Sequence, residues 1–280
     1  MSRRFQQVDV FSSVPIAGNP VAVVIDAEGL ADEAMAAFAR WTNLSETTFL
    51  LPPTSAAADY RLRIFTPGGE LPFAGHPTLG SAHAWLGSGG VPKGERIVQE
   101  CGIGLVEIRR DGAELAFAAP PLIRSGPVDS DTVREVTAAL GLQPADVVDA
   151  EWVANGPDWM VVALTSGDLV REVTPDMAAL GTQNVGLLGA HPDGLPGEPE
   201  VAFEVRAFVP GIGVPEDPVT GSLNAGIAVW LRREGKAPAD YVAAQGTVLG
   251  RAGRIHVTDD GTDIWVGGAA TTVIAGTVNL

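Results

Sequence analysis

Two stretches of the chain repeat one another: Arg63-Ile64-Phe65-Thr66-Pro67-Gly68, leading to Ala74-Gly75-His76-Pro77, and Arg206-Ala207-Phe208-Val209-Pro210-Gly211, leading to Thr220-Gly221-Ser222-Leu223. Each predicts a strand (Tyr60 to Phe65; Ala202 to Val209), a Pro/Gly-rich loop, and an apolar helix. Each helix opens at the small-Gly-polar tripeptide and closes at Trp85-Leu86 or Trp230-Leu231. The copies are offset by about 143 residues before the loop and about 145 after it, so the second loop is the longer by roughly two residues. A fainter echo lies upstream, where Gly18-Asn19-Pro20 precedes Val21-Ala22-Val23-Val24 as Asn155-Gly156-Pro157 precedes Met160-Val161-Val162. Each half thus repeats strand, turn, strand, loop, helix, and a duplicated chain usually places its site between the copies.

Composition agrees with two halves. A chain of 280 residues accommodates two domains, each of about 130–140 residues and large enough to bury its own core. An apolar content of 46% with 19% charged residues describes an ordinary soluble globule rather than a disordered chain. The formal net charge of −16 argues against non-specific nucleic-acid binding and against an anionic membrane surface, since both need a positive face. Arg3 and Arg4 are followed by no apolar core of a leader, so no signal peptide is expected. No run approaches the roughly 20 apolar residues that cross a bilayer. The single cysteine, Cys101, excludes an intrachain disulfide, removes any mechanism needing two thiols in one chain, and fits a reducing, cytoplasmic compartment.

The composition shifts most clearly at Ala118-Ala119-Pro120-Pro121-Leu122-Ile123-Arg124-Ser125-Gly126-Pro127. Domains are therefore expected over 1–118 and 128–264, with 119–127 as linker and a closing strand over about 265–280 that can return to the first domain. Helical spacing follows from Asp131 to Leu140, with Asp131 as N-cap and Gly141 past its end, and an equivalent helix is expected from Ala31 to Arg40. The segment His191 to Pro199 reads as an exposed connection between strands.

The chemistry is expected where the two tripeptides face each other. Helices beginning at Gly75-His76 and at Gly221-Ser222 each present free backbone N–H groups and the positive end of a macrodipole, made approachable by a glycine. Two such ends facing one cleft would hold a carboxylate without an arginine. In either copy alone, a helix cap with a turn glycine is the plainer reading; its recurrence in equivalent positions favours a site.

Acid–base candidates differ between the copies. Asn43-Leu44-Ser45-Glu46-Thr47-Thr48-Phe49 sets one carboxylate, Glu46, among hydroxyls at the start of an apolar run, whereas Asn184-Val185-Gly186-Leu187-Leu188 has no acid. Desolvation of a carboxylate against apolar strand residues suits a general base that must return its proton as an acid; the alternative is a solvated loop glutamate. In Val214-Pro215-Glu216-Asp217-Pro218-Val219-Thr220 one carboxylate can face the cleft and its neighbour solvent, while Asp217 could equally be an N-cap for the following helix. His76, at a helix N-terminus where the dipole favours the neutral ring, is suited to relay a proton, although a lone histidine is more often a satisfied structural one. No His-x-x-x-His or Cys-x-x-Cys pair offers a metal site, and Gly87-Ser88-Gly89-Gly90 follows a helix rather than opening one after a strand, so neither metal nor nucleotide cofactor is expected. No Gly-x-Ser-x-Gly elbow accompanies Ser222.

Gly18-Asn19-Pro20-Val21-Ala22-Val23, Ser45-Glu46-Thr47-Thr48-Phe49, Phe65-Thr66-Pro67 with Leu71-Pro72-Phe73-Ala74-Gly75-His76-Pro77-Thr78, and Glu216-Asp217-Pro218-Val219-Thr220-Gly221-Ser222 resemble the phenazine-biosynthesis PhzF-like family in content and order. The resemblance implies the diaminopimelate-epimerase fold: α+β, two similar domains, each a curved, mostly antiparallel sheet wrapped around a central helix, with the active site in the cleft between them. It also implies a homodimer acting on a small-molecule carboxylate without metal or organic cofactor.

Carried over by the same resemblance, Glu46 is similar to the family's principal acid/base, and Gly75 and His76 to the first-domain pair lining the site. Asp217 is similar to the second acidic residue, and Thr220, Gly221 and Ser222 to the second helix-start anion site. Epimerases that share the fold carry a cysteine at each helix start, where this chain has Ala74 and Thr220, so two-thiol racemisation is not available. The best understood family member isomerises trans-2,3-dihydro-3-hydroxyanthranilate. The implied activity is a cofactor-independent isomerase that moves a proton on a small cyclic or amino-acid-like carboxylate; an epimerase or dehydratase on the same scaffold, or a non-catalytic binding protein, are the alternatives.

Overall fold

The computed structural model describes residues 1–212 and 214–280. Two compact units emerge: Met1–Ala118 with Gly267–Leu280, and Ala119–Val266. Both mix strands and helices, so the fold is α+β.

The first unit contains β1 (Ser2–Val10), β2 (Asn19–Val24), α1 (Asp32–Thr42), β3 (Glu46–Leu51), β4 (Tyr60–Thr66), β5 (Gly69–Leu71), α2 (Gly75–Gly87), β6 (Ile97–Cys101), β7 (Gly104–Asp111), β8 (Glu114–Ala118) and the last strand, β18 (Ala270–Asn279). β1 pairs antiparallel with β18 and β2. β2 pairs parallel with β3 across the α1 crossover, β3 antiparallel with β4, and β4 parallel with β6 across the α2 crossover. β7 and β8 complete the run as antiparallel neighbours. From Gly75 to Ala82 every residue of α2 is buried, and the helix touches β1, β2, β3, β4, β6, β8 and β18, so the sheet curves around it. A helix buried on all sides is enclosed in this way, its polar His76, Thr78 and Ser81 finding partners at Asn19, Gln99 and Thr48.

The second unit contains β9 (Arg124–Pro127), α3 (Ser130–Ala139), β10 (Val147–Ala154), β11 (Trp159–Leu164), α4 (Gly167–Glu172), α5 (Met177–Leu180), β12 (Asn184–Ala190), β13 (Val201–Val209), β14 (Val214–Asp217), α6 (Gly221–Glu234), β15 (Asp240–Gln245) and β16 (Gly253–Asp259), after which β17 (Ile264–Gly268) carries the chain out. Its pairings reproduce those of the first unit. β10 and β11 are antiparallel, β11 and β12 parallel across α4 and α5, β12 and β13 antiparallel, and β13 and β15 parallel across α6. Gly221 to Ala228 are all buried in α6, the counterpart of α2.

Two details show how deep the duplication runs. Gly80 and Gly226 stand at the same place in the two central helices. A Cβ at Gly80 would lie 2.4 Å from Val21 Cγ1, and one at Gly226 would lie 2.4 Å from the Val153 carbonyl oxygen, so both helices press onto their sheets where no larger residue fits. The repeated arginines do the same work twice. Arg63 grips Glu70 through Nε and Nη2, both at 2.7 Å, while Arg206 grips Glu216 at 2.9 and 2.8 Å. Their guanidinium carbons lie 5.1 Å from the Phe65 ring and 4.9 Å from the Phe208 ring. A planar, two-pronged guanidinium over an aromatic face ties β4 to β5 and β13 to β14.

The structure differs from the sequence reading in three local features. Arg124-Ser125-Gly126-Pro127, expected within a linker, forms the edge strand β9 on β10, where a proline lacking N–H is tolerated. The cap of α3 is Asp129, which accepts from the Thr132 N–H at 2.9 Å, rather than Asp131, which lies in the first turn. α6 runs past Trp230-Leu231 to Glu234 and ends at Gly235, whose φ of 64° closes the helix in the left-handed region. No helix among the described residues is long and apolar enough to cross a membrane.

Candidate active site

In the first unit, β3 begins at Glu46, set opposite Val21 by the parallel register with β2. Asn43 ends α1 in the left-handed conformation at φ 54° and turns the chain back toward the sheet. The Thr42 and Thr47 hydroxyls, 2.9 Å apart, hold the turn on both sides of Glu46. His76 is the second residue of α2, whose start carries no side-chain cap. The two meet: His76 Nε2 lies 3.3 Å from Glu46 Oε2, with only 4% and 12% of the side chains exposed.

On the other edge of the ring, His76 Nδ1 lies 3.3 Å from the Asn19 amide nitrogen, and Asn19 Oδ1 accepts from Ser45 Oγ at 3.4 Å. Asn19 therefore links the His76 ring to the residue preceding Glu46. Burial lowers the His76 pKa from 6.5 to about 3, with a hydrogen bond to the Pro20 carbonyl acting the other way. The ring is neutral at physiological pH, so one of its nitrogens is a donor and the other an acceptor, and the 3.3 Å approach of Nε2 to Glu46 Oε2 is a contact rather than an aligned hydrogen bond.

A stability limb follows from this burial. The unfolded histidine binds a proton near pH 6.5 and the folded one only near pH 3, so the unfolded state holds the extra proton throughout that window. Stability is fully present above pH 6.5 and falls on acidification by about 1.4 kcal/mol per pH unit for this group. His83, also lowered by burial, adds to the same slope. Urea denaturation between pH 7 and pH 4.5 is expected to show a shallower decline in His76→Asn than in the native chain; an unchanged slope would refute this account.

The second unit presents equivalent positions with different chemistry. Asn184 opens β12 opposite Trp159 where Glu46 opens β3, so the acid is confined to one copy. Ser222 occupies the place of His76: its Oγ accepts from Trp159 Nε1 at 3.1 Å, and its carbonyl accepts from Asn155 Nδ2 at 2.9 Å. Because the hydroxyl oxygen already accepts from the indole, its own proton remains available for another acceptor.

Strand alternation separates the two adjacent carboxylates of β14. Glu216, expected to face solvent if Asp217 faced a cleft, is instead taken by Arg206 with 10% exposure. Asp217 does not cap α6; Thr220 is the N-cap, and its hydroxyl donates to Asp217 Oδ2 at 2.6 Å. Gly75 and Gly221 each supply the first turn of a central helix, where backbone N–H groups lack intrahelical partners and the dipole is positive.

The structure therefore brings together Glu46 with His76, and Asp217 with Thr220 beside Gly221 and Ser222. It adds Asn19, Asn155, Trp159, Asn224 and Gln245, none of which was singled out as a site residue from the sequence. Only the repeated asparagine ahead of each second strand carried a readable signal.

Set beside known proteins, the chain is 39% identical to antisense-enhancing sequence 1 of Schizosaccharomyces pombe, covering 97% of each. It is 35% identical to trans-2,3-dihydro-3-hydroxyanthranilate isomerase of Pseudomonas aeruginosa, covering 92% of this chain and 91% of that one. A PhzF-family protein of Enterococcus faecalis superposes over the full length of both chains with a TM-score of 0.80 at 26% identity. By kinship the chain is an enzyme of the isomerase class. Residues 8–276 match the family described as phenazine biosynthesis-like protein, PhzC-PhzF, and the chain belongs to it.

Proposed function

We propose that the protein is a general acid/base isomerase that shifts a proton within a small cyclic or amino-acid-like carboxylate, in the manner of trans-2,3-dihydro-3-hydroxyanthranilate isomerase. The observation that carries this reading is the buried carboxylate–imidazole pair, Glu46 Oε2 at 3.3 Å from a neutral His76. Glu46 removes a proton from carbon, His76 adjusts to either protonation state of the carboxyl, and the same pair returns a proton to another atom, so atoms balance without a redox partner. Proton transfer of this kind contributes on the order of 10²–10⁴-fold to rate. Gly75, Gly221 and Ser222 bind anionic groups of the substrate through helix-start N–H groups and the Ser222 hydroxyl. Asp217, with Thr220, is the second acid. The reading includes a homodimer working in the cytoplasm without metal or organic cofactor.

The test is incubation with trans-2,3-dihydro-3-hydroxyanthranilate and a panel of hydroxylated cyclic and amino-acid carboxylates in deuterium oxide, followed by NMR. Enzyme-dependent deuterium incorporation at one carbon of a panel member, with isomerisation and no loss of water, is the expected result. A product that has lost water would make the enzyme a dehydratase, and inversion at a single centre would make it an epimerase.

A further inference from the structure

Gln245, the last residue of β15, is fully buried and lies far from Asp217 in sequence, yet it is bonded around the whole of the loop that carries Asp217. Its Oε1 accepts from the Thr220 N–H at 3.0 Å and from Asn224 Nδ2 at 2.9 Å. Its Nε2 donates to the Asp217 carbonyl at 3.1 Å and to Thr220 Oγ1 at 3.0 Å. All four hydrogen-bonding capacities of the amide are used, and the reverse orientation would set donors against donors.

Asn224 closes the circuit by donating to the Thr220 carbonyl at 2.9 Å. Close packing surrounds it: a Cβ at Gly246 would lie 2.7 Å from the Pro218 carbonyl oxygen, and one at Gly253 would lie 2.5 Å from Val219 Cγ2. Gly246 itself adopts φ 89°, a conformation that glycine accepts without strain.

We propose that Gln245 is a positioning residue for Asp217. By donating to Thr220 Oγ1 it fills the acceptor side of that hydroxyl, so the single Thr220 proton is directed to Asp217 Oδ2 at 2.6 Å. A hydroxyl flanked by both partners cannot turn, and it is held as a committed donor to the carboxylate. Charged groups on neighbouring elements include Glu216 on the same strand, held by Arg206 of β13, Arg251, whose Cβ packs against Gly246, Arg254 of β16, held by Glu198, and Glu204 of β13, beside His191. The proposal rests on the reading of Asp217 as an acid/base group, and Gln245 itself touches no reacting atom.

The test needs no substrate. The Asp217 carboxyl carbon is titrated by NMR in the native chain, Gln245→Met, Thr220→Val and the double variant. A donated hydrogen bond favours the ionised carboxylate, so each single variant is expected to move the midpoint upward by about one pH unit, and the double variant no further. Thr220→Ser, which keeps the hydroxyl, is expected to titrate as the native chain does. An unmoved midpoint in folded Gln245→Met, or in Thr220→Val should the first variant fail to fold, overturns the proposal; so does a double variant whose shift is the sum of the singles. Asp217→Asn with the native rate of deuterium exchange would instead remove Asp217 from the reaction, a failure of the parent reading that the titrations keep separate.

Discussion

Glu46→Gln is expected to reduce deuterium exchange and isomerisation by about 10²–10⁴-fold while leaving the fold and the melting temperature close to those of the native chain. Glutamine matches the shape of glutamate and can still lie against the His76 ring, so packing at the start of β3 is preserved. What it lacks is a group able to take a proton from carbon. Binding of the substrate is expected to change little, because in this reading the helix-start N–H groups and the Ser222 hydroxyl hold the anionic groups while Glu46 acts on the reacting carbon. Single-turnover rates should therefore fall much more than affinity. Exchange at the native rate in a folded Glu46→Gln chain would end the proposal that Glu46 is the base, and with it the proton-transfer reading of the first unit.

Glu216→Ala is expected to destabilise the protein by about 3–5 kcal/mol with the second unit affected first, a large effect for a residue adjacent to an acid/base candidate. Arg206 and Glu216 are 4% and 10% exposed, and Arg206 Nη1 also donates to the Val170 and Val173 carbonyls at the end of α4. Removing Glu216 leaves a guanidinium without its counter-charge in a site that water barely reaches. Replacing both partners together, Arg206→Met with Glu216→Leu, is expected to recover most of the loss, since the cost lies in the stranded charge rather than in the absent pair. Urea denaturation of the single and double variants measures this, and a double variant less stable than Glu216→Ala would refute it. Asp217→Asn is expected to show the opposite balance, with a modest change in stability and a large one in exchange.

The contrast between Glu216 and Asp217 marks a limit of sequence reading. The tetrapeptide Val-Pro-Glu-Asp offers two carboxylates side by side, and nothing local says which serves structure. A strand sends them to opposite faces, and only the partner on each face decides their roles: Arg206 on one, the Thr220 hydroxyl on the other. Part of the answer was nevertheless present in the duplication. Arg63 and Glu70 form the same two-pronged pair in the first copy, so the glutamate after the second Arg-x-Phe motif is the structural one. Gln245 had no such signal, because it belongs to a strand that reaches the Asp217 loop only after α6 has crossed the sheet.

The sequence by itself determined the duplicated α+β pattern, the placement of the two central helices and the tripeptides that open them. These features rest on local rules, the period of apolar residues and the conformations open to Gly and Pro, which act within a few residues of chain. The tertiary structure alone decided what meets what. The parallel register of β2 and β3 sets Glu46 opposite Val21, and the burial of α2 carries His76 to it and Asn19 to the far side of the ring. The neutral imidazole is likewise a product of that enclosure, since desolvation depends on every element packed around a group and on no stretch of sequence taken alone.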